Sequence, residues 1–218
     1  MSVRAETALA RPTSPVWLRV VAVPAAIAVV LAGIWVAGGV LTNDFRASMA
    51  LTALWFAAVV TGAVVCWRRV PGLRPAAVAA VVVFVAVGGW LGYTSTTDRV
   101  VDEAVVSGPA ALQGDFRGLA HETTGTARIV EQGGSRTLTL TGFETDPGPD
   151  LYVYLVPDVS AGEDIGGGAQ LARLKGNVGD QQYELPAGAD LSGGATVVIW
   201  CRAFSVSFGA AHLEPTAS

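Results

Sequence analysis

Three side chains in the C-terminal half of the sequence could bind a metal or carry electrons: Cys201, His121 and His212. A cysteine with two histidines can form a trigonal copper site, and either residue type can ligate a haem iron. This half has no methionine and lacks the close Cys-to-His spacing of small blue-copper proteins, so haem is favoured over copper. No CxxCH motif is present, which excludes covalent c-type haem. The alternative for each histidine is an exposed or hydrogen-bonded loop residue.

Cys201 lies in residues 196–208, TVVIWCRAFSVSF, whose residue types favour a β-strand. Alternate positions form two largely apolar faces, which is typical of a central strand buried on both sides. A bulge or bend is expected near Arg202, because a cation is costly to bury among Trp and Phe. We therefore predict that Cys201 lies in a core or at its edge. Such a bulge would also be needed for Arg202 to stabilise a Cys201 thiolate, because neighbours on a strand point to opposite faces.

Three uncharged apolar runs, residues 20–41, 47–67 and 75–93, precede this half of the chain. As a helix rising ~1.5 Å per residue, the first run would span roughly 33 Å, close to the ~30 Å hydrocarbon thickness of a bilayer. The runs therefore predict three transmembrane helices within residues 20–93. A lipid bilayer is accordingly an expected partner.

The charges divide the chain into two parts and predict its orientation. Up to residue 94 there are seven cations and two anions, and from residue 95 onward seven cations and sixteen anions, a balance of −9. Arginines precede the first run (Arg4, Arg11, Arg19) and follow the second (Arg68, Arg69, Arg74). Positive charges favour the cytoplasmic side, so residues 1–19 are predicted to be cytoplasmic and the acidic half extracytoplasmic, in a multi-pass protein of the cell membrane. The acidic balance argues against nucleic acid as a partner.

The predicted topology separates the two cysteines of the chain, Cys66 and Cys201, by a bilayer. They cannot then form an intramolecular disulfide. A single cysteine in an oxidising compartment leaves four roles open for Cys201: intermolecular pairing, a ligand, a reactive thiol, or simple burial.

The extracytoplasmic part is predicted to be all-β. Residues 94–112 resemble a linker, and residues 113–218 contain short strand-like runs between turn signals. The predicted strands are residues 114–119, 124–132, 135–143, 150–156, 169–175, 180–185, 196–202 and 204–213. Gly133 and Gly134 between two alternating runs indicate a two-residue hairpin. The fold class is therefore three transmembrane α-helices followed by an antiparallel sandwich or small barrel.

Four blocks of this domain resemble the DM13 family of β-rich extracellular domains. The blocks are FRGLAHETTGTARIV, RTLTLTGFETDPGPDLYVYLV, LARLKGNVGDQQYELP and VVIWCRAFSVSFGAAHL, in that order. The resemblance implies a redox or electron-transfer role, either as a bare thiol or through a bound group such as haem, and it places the family's cysteine at Cys201. Other matching positions, among them Gly125, Asp150 and Phe208, have residue types suited to turns and core.

These observations favour a membrane-anchored domain that acts in electron transfer or thiol redox through Cys201, with a redox protein as partner. The alternative is a non-enzymatic binding module in which Cys201 is a core residue. The motifs GxSxG and HExxH are absent, and the sequence leaves open whether the protein is an enzyme.

Overall fold

The computed structural model describes residues 16–42, 45–157, 165–189 and 191–216. Most of the N-terminal segment predicted to be cytoplasmic, up to residue 15, lies outside the described residues. The chain forms two compact units, one of Met1–Ile34 with Ala53–Ala86 and one of Trp35–Thr52 with Val87–Ser218.

Three helices occupy the first part of the chain, as predicted: α1 (Val16–Gly39), α2 (Phe45–Arg69) and α3 (Arg74–Thr94). All three are long and apolar enough to cross a membrane. A short 3₁₀ turn, Pro71–Leu73, joins α2 to α3. The Trp55 indole N–H donates to the backbone oxygen of Val30 at 3.2 Å, and this bond joins α2 to α1.

The described residues of the β-domain form eight strands, one for each of the eight predicted runs. The strands are β1 (Ala110–Gly118), β2 (Thr123–Gln132), β3 (Ser135–Thr145), β4 (Leu151–Pro157), β5 (Ala169–Arg173), β6 (Gln181–Glu184), β7 (Ala195–Cys201) and β8 (Val206–Pro215). They pair antiparallel in the order β5-β4-β7-β8-β1-β2-β3-β6, which makes a nearly closed barrel. The predicted hairpin is confirmed between β2 and β3, where Gly133 and Gly134 have positive φ angles of 60° and 82°.

The bulge or bend expected near Arg202 is a complete reversal of the chain, which divides residues 196–208 between two strands. The chain reverses over residues 202–205, so that Cys201 pairs with Val206 and β7 and β8 form a hairpin. Ser205 takes a left-handed φ of 50°, and Arg202 lies exposed at the turn, where its charge stays in water. Each strand is still largely buried on both faces, as the apolar pattern predicts.

Residues 98–106, which lie in the predicted linker, are hydrogen-bonded to the β-domain. The buried side chain of Asn177 is the centre of this attachment. Its Oδ1 accepts from the Arg99 N–H at 2.7 Å, and its Nδ2 donates to Asp98 Oδ1 at 2.8 Å and to the Thr145 carbonyl at 2.9 Å. One amide therefore links this segment to the end of β3.

Replacing Asn177 with alanine should lower the free energy of unfolding by about 2–4 kcal/mol, because the change leaves three hydrogen-bonding groups without their partner. Urea unfolding of the detergent-solubilised protein, followed by circular dichroism, measures this loss. Gln113→Ala removes an exposed amide and is the matched control, with an expected change within about 0.5 kcal/mol. Equal losses in the two variants would contradict the assignment.

Candidate functional site

Cys201 is the last residue of β7 and lies in the interior of the barrel. Its ladder partners are Leu151 on β4 and Val206 on β8. The residue has no exposed surface and belongs to the main core cluster. The prediction that Cys201 lies in a core is confirmed.

Four residues, Arg202 to Ser205, form the turn that connects Cys201 to β8; we call this segment the thiol turn. Burial raises the pKa of the Cys201 thiol to about 11, so the sulfur is protonated at neutral pH. Backbone hydrogen bonds from Phe204, Asp150 and Ala203 act in the opposite direction and favour the thiolate. The sulfur thus lies among amide groups that could stabilise a negative charge, at a position where burial disfavours that charge.

Asp150 contacts the thiol turn through Arg202. Its backbone oxygen accepts from the Arg202 N–H at 3.0 Å, and its carboxylate lies 3.3 Å from Arg202 Nε and 3.8 Å from Arg173 Nη2. The Arg202 guanidinium also lies over the Tyr152 ring, 4.5 Å from its centroid. The charge of Arg202 is therefore paired with Asp150, and backbone amides contact the sulfur instead.

His121 lies on the opposite side of Phe208 from the core. Its Nδ1 is 2.9 Å from Asp146 Oδ2, and its ring stacks on Phe208 with centroids 3.8 Å apart. Ile199 pairs with Gly209 and Trp200 with Ser207, so Phe208 is an extra residue in β8, a β-bulge that turns its ring into the core that also contains Cys201. Phe208 thus contacts His121 and belongs to the same core cluster as Cys201.

His212 lies far from Cys201 along β7. It pairs with Thr196, to which its Nδ1 hydrogen-bonds at 2.9 Å, and its Nε2 lies 3.1 Å from Arg117 Nη2. The five residue-to-residue steps from Thr196 to Cys201 span about 16 Å of strand. His212 and Cys201 therefore cannot bind one metal ion in this arrangement.

The arrangement does not fit a copper site built from Cys201, His121 and His212. Among the residues that the structure describes, no three His, Cys, Asp or Glu side chains are placed to hold a metal ion. A haem iron would need an open face at its ligand, whereas Cys201 has no exposed surface.

The sequence did not predict a functional role for three features of this site: the backbone amides of the thiol turn, Asp150 and Phe208. Asp150 and Phe208 fall in blocks that resemble DM13, but their residue types indicated only turn and core. The motif DPGPD marks the rigid connection that brings Asp150 to the thiol turn.

Comparison with protein families gives a match that covers most of the β-domain, including the buried Cys201. A family model described as "Electron transfer DM13" matches residues 115–213, which include β2 to β7 in full, the second part of β1 and all but the last two residues of β8. Residues 115–213 of the β-domain therefore match the DM13 family of electron-transfer domains. No curated protein and no solved structure gives a significant match.

Proposed function

We propose that the protein is a membrane-anchored redox protein whose DM13 domain lies on the extracytoplasmic side and exchanges electrons through the thiol of Cys201. The DM13 match supports a general electron-transfer role, and the three apolar helices suggest membrane association. The position of the arginines supports the orientation, because two groups of three lie on what would be the cytoplasmic side of the helices.

The observation that carries the proposal is the thiol turn. The thiol of Cys201 hydrogen-bonds to the backbone of Ala203 and Phe204, two half-buried residues of the thiol turn. A local opening of this turn would remove these contacts and give access to the sulfur without unfolding of the barrel. Ser205 holds a left-handed φ of 50° that is unfavourable for a serine, and strained residues of this kind cluster at functional sites. The Asp150 amide, directly before β4, favours the thiolate by a backbone hydrogen bond, whereas the negative charge of its carboxylate disfavours it.

The redox step follows thiol–disulfide chemistry with a disulfide-bearing partner protein. Opening lets the Cys201 thiol lose its proton to water, and the thiolate attacks one sulfur of the partner disulfide. A new S–S bond forms to Cys201, the partner S–S bond breaks, and the departing partner sulfur leaves as a thiolate. One disulfide is exchanged for another, so atoms and electrons balance.

Trapping this mixed disulfide tests the proposal. Membranes that contain the full-length protein are treated with a mild thiol oxidant, blocked with an alkylating agent and run on non-reducing gels. The proposal predicts a larger, reductant-sensitive species in the wild type and in Cys66→Ser, and its loss in Cys201→Ser. The same species in all three variants, or in none of them, would contradict a redox role for Cys201.

The second candidate is a non-enzymatic binding module, and it is favoured by the complete burial of Cys201 and by the raised pKa of its thiol. In this case Cys201 contributes packing alone. Cys201→Ala would then lower the free energy of unfolding by about 1–2 kcal/mol, and no Cys201-dependent disulfide would form under oxidation.

A further inference from the structure

A groove of about 570 Å³ lies between α2 and α3, and its lining is almost wholly apolar. Its walls include Val60, Val64 and Trp67 of α2 and Val78 and Val82 of α3. One charged residue, Arg68, reaches into it. We call this feature the arginine groove. It is apolar along its length and cationic at one end.

The positive charge at this end has no counter-charge in the adjacent sequence. Arg68, Arg69 and Arg74 lie within seven residues, and residues 45–97 contain no aspartate or glutamate. Arg74 is held in place, since its Nε donates to the Trp67 carbonyl at 3.3 Å and its guanidinium lies over the Trp67 ring. Arg68 and Arg69 are exposed and form no ion pair with any described residue.

We propose that the arginine groove binds an anionic phospholipid, with one acyl chain along the valines and the phosphate on Arg68 and Arg69. Basic pockets between transmembrane helices on the cytoplasmic side are suited to anionic headgroups, and guanidinium groups match phosphate oxygens in pairs. Trp67 lies in the last turn of α2, and tryptophan is enriched at such positions at the membrane–water interface. The proposal rests on the membrane anchoring put forward above.

Charge favours a lipid over a second copy of the chain as the occupant. A second copy in the same orientation would bring its own three arginines to the same depth of the membrane and would add to the repulsion. An anionic lipid supplies both the acyl chain that fills the groove and the charge that the arginines lack. One ligand would thus fill the apolar groove and neutralise the arginine charge.

Native mass spectrometry of the full-length protein, released from vesicles that contain equal amounts of phosphatidylglycerol and phosphatidylcholine, tests the site. The wild type should retain phosphatidylglycerol preferentially. At about 1 kcal/mol for each arginine, the double variant Arg68→Gln/Arg69→Gln should lose about 25-fold in relative retention. Arg99→Gln removes one exposed charge from the β-domain unit and should leave retention unchanged.

A second pair of variants tests the acyl position without a change of charge. Val78→Trp fills the groove and should reduce retention, whereas Val85→Trp adds the same bulk at an exposed position of α3 outside the groove lining and should not. Equal retention in wild type, Arg68→Gln/Arg69→Gln and Val78→Trp would overturn the lipid site. Alkaline carbonate extraction separates the two proposals, because a chain that is washed from the membrane contradicts anchoring itself.

Discussion

The thiol of Cys201 should react with a disulfide reagent at least about tenfold more slowly in the folded protein than a model thiol does at neutral pH. Its pKa rises from 9.0 to about 11, which lowers the thiolate fraction about a hundredfold. A more basic thiolate is also a better nucleophile, and this raises the rate constant of the thiolate by somewhat less than about tenfold. Complete burial slows the reaction further. The Cys66→Ser variant isolates the reaction at Cys201.

The pH dependence of this rate provides the check. The rate should continue to rise up to pH about 11, because ionisation of the buried thiol is complete only above that pKa. In urea, the rate should level off near pH 9, the ordinary pKa of the thiol. A folded protein whose rate levels off near pH 9 would contradict the burial of the sulfur.

Replacing Phe208 with alanine should lower the free energy of unfolding by about 3–5 kcal/mol, the cost of removing a fully buried aromatic ring. Phe208 is 2% exposed, supports the ring of His121 and belongs to the core that contains Cys201. The resulting cavity cannot be filled readily, since a β-bulge fixes the backbone at this position. Urea unfolding followed by circular dichroism measures the change.

Phe204→Ala is the matched control, because Phe204 is a half-buried residue of the thiol turn. Its loss should cost clearly less than that of Phe208. Equal losses in the free energy of unfolding of the two variants would contradict a major contribution of Phe208 to the core. Cys201 should also become more reactive in Phe208→Ala, because the cavity reduces the packing around the sulfur.

The strands of the β-domain were predictable because their signals are local. Alternation at a period of two, together with turn residues such as Gly133 and Gly134, defined each run without knowledge of its partner. A bulge or bend was predicted near Arg202, but the full reversal was not, because residues 202–205 contain no glycine or proline. Its apolar residues therefore continued the strand pattern, and only the left-handed Ser205 departs from it.

The geometry of the candidate site was not predictable, because it depends on which strands pair and in which register. Thr196 faces His212 and Cys201 faces Val206 as a consequence of the β7–β8 register, and this separates the histidine from the cysteine. The pairing of β1 with β8 joins residues about 100 positions apart and leaves no local mark in the sequence. Backbone amides that contact a sulfur are likewise independent of side-chain type.

The most direct test of the central claim is a redox titration of the full-length protein in its membrane. The membranes are equilibrated at a series of potentials in the presence of soluble proteins from the extracytoplasmic compartment and are then denatured, so that buried thiols can react. Free thiols are alkylated, and the alkylated fractions of Cys201 and Cys66 are measured by mass spectrometry. Redox exchange through Cys201 predicts a reversible step in its alkylated fraction, with Cys66 as the internal reference. A Cys201 that stays fully reduced at every potential would contradict electron transfer through this thiol.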